Sequence, residues 1–115
     1  MKNINLIFLG GPDVHTRIEF ANYLRTTKNF NIFFIGSEDG KVIIDNGFKF
    51  FRYDLDRGIN IFRDLNAIKQ LRKILKKLSS EKTFLLQIFD TKPNVLGVIS
   101  AIGIKNIIIV SIDRI

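Results

Sequence analysis

The stretch Ile4-Asn5-Leu6-Ile7-Phe8-Leu9-Gly10-Gly11-Pro12-Asp13 decides the fold. A short apolar run that ends abruptly in turn residues reads as a buried strand. Asp13 then stands where a helix begins, and its carboxylate can accept from the first free backbone amides. Val14, Ile18, Ala21 and Leu24 follow at helical spacing and form the inward face of that helix. A buried strand feeding a helix is the opening unit of a parallel α/β sheet.

The alternation continues along the chain. Residues 31–35 read as a second strand, closed by Gly36-Ser37-Glu38-Asp39-Gly40. Residues 41–47 suit either a short strand or a segment laid over the sheet. Residues 48–55 read as a third strand, ended by Asp54-Leu55-Asp56-Arg57-Gly58. Ile61, Leu65, Ile68, Leu71, Leu75 and Leu78 step by three and four, so a long helix carries one apolar stripe. A stripe of this kind more often packs on a sheet than on a membrane. Residues 83–89 read as a fourth strand, residues 94–104 as a short buried helix after Pro93, and residues 106–112 as a fifth, fully buried strand. With right-handed crossovers the expected fold is α/β: a Rossmann-like parallel sheet of about five strands, ordered 3-2-1-4-5, with helices on both faces.

Composition sets limits around that fold. At 115 residues and 46% apolar, residues 1–115 make one domain with a real core. The absence of cysteine removes disulfides, thiolate metal sites and cysteine nucleophiles, and points to a reducing compartment. With one histidine, no zinc site is expected. No apolar run is long enough to span a bilayer, and the first residues do not resemble a signal peptide. A cytoplasmic location follows, with the inner face of the membrane as a further option. The net charge is +7, and residues 60–82 hold seven basic residues against two acidic ones. That basic segment is either a solvated helix face or a surface for peripheral membrane contact. No nucleic acid is expected as a partner.

Ligands of such sheets bind outside the carboxyl ends of the strands. Two loops therefore stand out. In the first, Gly10 and Gly11 leave room for a ligand against the backbone. The helix start beside them suits an anion, and His15 and Arg17 add a titratable group and a cation. The same residues also suit a tight turn with a capped helix. In the second, Asp90 can act as a base or bind sugar hydroxyls, and Lys92 can pair with a phosphate. Helix capping with solvated charge explains those residues equally well. Glu38, after the second strand, is placed to hold a ribose, although Gly10-Gly11-Pro12-Asp13 is no dinucleotide fingerprint.

Two segments resemble a known family. The segment Gly10-Gly11-Pro12-Asp13-Val14-His15-Thr16-Arg17 resembles the opening of the amino-terminal domain of family-4 glycosyltransferases. The segment Phe89-Asp90-Thr91-Lys92-Pro93-Asn94-Val95-Leu96-Gly97 is similar to the Lys-Pro-Asn-x-x-Gly stretch of the bacterial polysaccharide subgroup. The resemblance implies half of a two-domain fold, the acceptor-side half, acting in cell-surface polysaccharide synthesis. It implies His15 as the catalytic residue and Gly10, Gly11, Arg17, Asp90, Lys92 and Asn94 as substrate-binding residues. The implied partners are a nucleotide sugar and a lipid-linked or glycan acceptor, with no resident cofactor.

The family's donor half carries two glutamates separated by seven residues. Here the glutamates are Glu19, Glu38 and Glu81, and no two have that spacing. The expectation is an incomplete domain, inactive alone, because a half-cleft cannot hold two substrates in line. Two other readings stand beside it. One is a nucleotide-binding module that uses Glu38. The other is a non-catalytic domain that associates with itself or another protein through its fifth strand, whose apolar run is unusual for a sheet edge.

Overall fold

A computed structural model describes residues 4–56, 58, 60–89 and 91–112. Strand β1 (Ile4–Leu9) leads through a 3-10 turn (Val14–Arg17) into α1 (Ile18–Thr27). Then follow β2 (Phe30–Gly36), α2 (Lys41–Asp45), β3 (Lys49–Arg52), α3 (Ile61–Leu78), β4 (Phe84–Ile88), α4 (Thr91–Ala101) and β5 (Ile107–Ile112). The five strands form one sheet in the order β3-β2-β1-β4-β5, and every pair is parallel. The chain therefore has the Rossmann-like α/β architecture its apolar rhythm predicts.

The two faces of the sheet carry different chemistry. One face packs aliphatic side chains: Ile7, Leu9, Leu86 and Ile88 meet Ala67, Leu71 and Leu75 of α3 and Leu96 of α4. The other face is aromatic. Phe8 lies at the centre of β1, stacked on Phe20 and edge-on to Phe34 and Phe89, with centroids 5.7, 5.4 and 5.2 Å away. Val14, Ile18, Ala21 and Ile43 close that layer from above. Both faces of β1 are covered, which is why its apolar run is nearly unbroken.

Five local expectations change. Residues 41–47 hold the short helix α2 after Gly40, which adopts a positive φ of 76°. Strand β3 is shorter than the alternation of residues 48–55 suggests, and α4 starts at Thr91 rather than residue 94. Asp13 does not cap a helix through its carboxylate. Its backbone carbonyl accepts instead from the amide and the hydroxyl of Thr16, at 3.0 and 2.7 Å. Strand β5 is buried on one face only. Ile107 and Ile109 pack under α3 and α4, whereas Ile108 and Val110 are half exposed, because no described element covers β5 on the aromatic side.

Helix α3 also divides. Its last turns bury Leu71 and Leu75, but Ile61, Phe62 and Leu65 in its first turns face solvent. The predicted single stripe is thus packed only from Ala67 onward. Asn60 starts this helix properly, its side-chain oxygen accepting from the amide of Arg63 at 3.1 Å.

Candidate functional site

The loops after β1, β2, β3 and β4 meet at the carboxyl end of the sheet, where a parallel fold gathers its functional groups. The first loop is tied down by the main chain. The Gly10 amide donates to the Ile35 carbonyl at 2.9 Å, and the Ser37 amide donates to the Gly11 carbonyl at 3.2 Å. The buried hydroxyl of Tyr53 donates to the Gly10 carbonyl at 2.8 Å. Gly11 is buried as well.

The missing side chain of Gly10 serves packing. A Cβ there would stand 2.9 Å from Cγ2 of Val14. Val14 also presses on Gly36, where a Cβ would come within 2.6 Å of its Cγ1. The space expected for a ligand beside Gly10 is filled by the chain itself.

Glu38 accounts for the helix start. Its Oε2 accepts from the His15 backbone amide at 2.9 Å and lies 3.0 Å from His15 Nδ1. A carboxylate from the end of β2 thus occupies the anion position at the first turn after β1. This is the group the sequence points to as a ribose ligand, and it is engaged with His15. An ionised carboxylate only accepts, so His15 Nδ1 is the donor of this contact. The His15 side chain is 43% exposed. A carboxylate held against an imidazole is an arrangement that can support proton transfer.

Arg17 lies with its guanidinium 4.3 Å from the Phe89 ring centroid, a cation–π contact that joins the loop after β1 to the end of β4. Asp90 lies outside the described residues. Lys92 turns toward the β3–α3 loop. Its Nζ donates to the Gly58 carbonyl at 2.6 Å and to the Asp56 carbonyl, and it pairs with Asp64 Oδ1 at 2.9 Å. Its charge is neutralised within the chain, so here it fastens two loops together. Asn94 is half-buried in the first turn of α4.

The structure brings His15, Arg17 and Lys92 to one end of the sheet and adds a feature the sequence reading passed over. A cavity of about 320 Å³ opens beside the β3–α3 loop, lined by Asp54, Leu55, Asp56, Arg63 and Asn66. Asp54 is clamped by Gln70, which accepts from its amide at 2.7 Å and donates to its carboxylate at 3.1 Å. Arg52 adds a contact of 2.8 Å. The Gln70 hydrogen bond first, and Arg52 second, hold the Asp54 carboxyl below the usual carboxylate range. Asp56 takes the Gly58 amide at 3.2 Å and faces Arg63 at 3.8 Å. Carboxylates, an amide and a guanidinium around an open cavity are suited to hydroxyl-rich ligands. The signal was Asp54-Leu55-Asp56, which reads simply as the end of a strand. A second cavity, of about 300 Å³, lies at the opposite end of β2 and β3, beside Arg25 and Phe48.

Among the described residues no three acidic or histidine side chains converge to hold a metal ion, and no helix is long and apolar enough to cross a membrane. No family model, no curated protein and no solved structure matches the chain.

Proposed function

We propose that this chain is the acceptor-side half of a glycosyltransferase of the two-Rossmann-domain type, acting in cell-surface polysaccharide synthesis. The observation that carries the reading is the contact between the two family-like segments. They are more than seventy residues apart in sequence, yet Arg17 of the first stacks on Phe89 of the second. Both border the end of the sheet where His15 lies and where Asp54, Asp56, Arg63 and Asn66 surround a cavity.

In this reading the acceptor glycan lies along those loops. His15 Nε2 takes the proton from the acceptor hydroxyl. The hydroxyl oxygen attacks the anomeric carbon of a nucleotide sugar held by a separate donor half. The nucleoside diphosphate leaves with the electron pair of the broken bond. Glu38 holds the imidazole and stabilises its protonated form.

The test is reconstitution with a donor half that carries the spaced glutamate pair. Sugar transfer to a lipid-linked acceptor is expected, and His15→Ala should lower it by about a hundredfold or more. No transfer from any nucleotide sugar, together with unchanged amide resonances of the loops on adding acceptor glycans, overturns the reading.

A second reading, a non-catalytic interaction domain, draws on the half-exposed Ile108 and Val110 of β5. It requires self-association or a protein partner, and a clean monomer at high concentration counts against self-association. The nucleotide-binding alternative is less well supported, since Glu38 is engaged with His15. A thermal shift with NAD that exceeds any shift with glycans would revive it.

A further inference from the structure

We propose that the outer face of α3 docks on an anionic lipid bilayer, with Phe62 as its inserted tip. The proposal does not depend on sugar transfer. Phe62 is 85% exposed and Ile61 70%, the highest values among the large apolar side chains of the described residues, and Leu65 is 58% exposed. All three stand on the first turns of α3, ahead of the part that packs on the sheet.

The rest of the outer face is lysine. Phe62, Lys69, Lys73 and Lys76 step by seven, four and three residues, so they share one line along the helix. The three lysines are exposed. The acidic residue within α3, Asp64, is turned inward onto Lys92. An apolar tip followed by an uncompensated row of lysines matches an interface with acyl chains at one end and anionic headgroups along its length. An acidic protein would answer the lysines but would leave Phe62 and Ile61 in water.

Helix α4 also carries exposed apolar residues. The two helices lie side by side, with Arg72 of α3 donating to the Ser100 carbonyl at 3.2 Å and Ser100 Oγ lying 3.4 Å from the Ile68 carbonyl. Val95 and Ile99 of α4 are exposed on the same layer. Helix α3 begins at the carboxyl end of the sheet, so the inserted tip lies at the end that carries the loop cluster while the lysine row lies along the lipid surface.

The experiment is co-sedimentation of the whole chain with vesicles of phosphatidylcholine alone and with added phosphatidylglycerol. Binding is expected only with phosphatidylglycerol, and it should weaken as salt rises. Phe62→Asp should lower the partition coefficient by about tenfold. Lys73→Gln should lower it by about fivefold. Both sites are exposed, and unchanged thermal melts of the free variants confirm that they fold. The proposal is overturned if the chain ignores phosphatidylglycerol vesicles, or if Phe62→Asp binds as wild type does. It is also overturned if inorganic phosphate, at matched ionic strength, displaces the chain from vesicles, since the lysines would then take a free anion. A dimer on size exclusion that Phe62→Asp dissolves would overturn it too, by showing that a second copy covers the face.

Discussion

The loop after β1 and the loop after β3 begin alike, at the carboxyl end of a strand and with polar residues ahead of a helix. The first holds the glycines and the helix start that suit an anion, yet Val14 fills the space beside Gly10 and Glu38 takes the His15 amide. The second runs Tyr53-Asp54-Leu55-Asp56-Arg57 before its glycine, yet a cavity of about 320 Å³ opens beside it. Glycine marks a close approach without saying what approaches. In the first loop the visitor is a valine from the same chain. Open space therefore lies beside the second loop and not beside Gly10.

The largest effect should come from closing the space that Val14 occupies. Gly36→Ala would place a Cβ 2.6 Å from Val14 Cγ1 and 3.1 Å from the Gly11 carbonyl. A loss of about 2–3 kcal/mol in urea unfolding is expected, in the upper range for overpacking. Val14→Ala in the same chain should recover part of it, and the double-mutant cycle reads the coupling directly. Strictly additive losses would mean that the valine is not what fills the loop.

Next in size is Tyr53→Phe. It removes the donor from the buried Gly10 carbonyl while keeping the ring. About 1–2 kcal/mol should be lost, because the carbonyl keeps its desolvation cost without its partner. A neutral result would show that water reaches the carbonyl, and with it the space between the loops after β1 and β3.

A third comparison sets Glu38→Gln against Asn66→Ala. The Glu38 side chain is 13% exposed and serves two groups of His15. Losing its charge should cost about 1 kcal/mol, the usual scale for a helix-start acceptor. Asn66 lines the open cavity, and its loss should stay within about 0.5 kcal/mol. Equal costs at the two positions would erase the distinction between a filled loop and an open one.

The fold was legible because its signals are local and periodic. Strand β1 ends at Gly10 as the run Ile4-Asn5-Leu6-Ile7-Phe8-Leu9 dictates, and Leu71 and Leu75 fall on the packed side of α3. The errors arise where a distant group decides. Asp13 is well placed to cap by sequence, but Glu38, twenty-three residues after His15, reaches the His15 amide. Strand β5 reads as buried because an apolar run looks the same whether one face is covered or two. Ile108 and Val110 are exposed because no described helix lies over them. Helix α2, with five residues, is too short for a helical period to be visible. His15, Arg17 and Lys92 were singled out by their types and their place after strands. Their partners Glu38, Phe89 and Asp64 follow only from the sheet order, which brings the chain segments after β1, β2, β3 and β4 together.

The smallest effect separates two causes at the open loop. Asp54 titrates below the usual carboxylate range, chiefly through Gln70 and then through Arg52. A carboxyl depressed in the folded chain stabilises the fold above its ordinary range, and that contribution fades as pH falls through the lowered value. Its side chain is 61% exposed, so solvent screening keeps the contribution too small for a melting curve. Carboxyl-carbon NMR resolves it instead. Gln70→Ala should raise the Asp54 midpoint more than Arg52→Ala does. High salt should remove the Arg52 share, since that pair is exposed, and leave the Gln70 share, which is a hydrogen bond fixed by the packing of α3 beside the loop. If Arg52→Ala moves the midpoint as far as Gln70→Ala, the loop is held by exposed charge rather than by α3. The cavity beside Asp54 would then change shape with ionic strength instead of standing preformed.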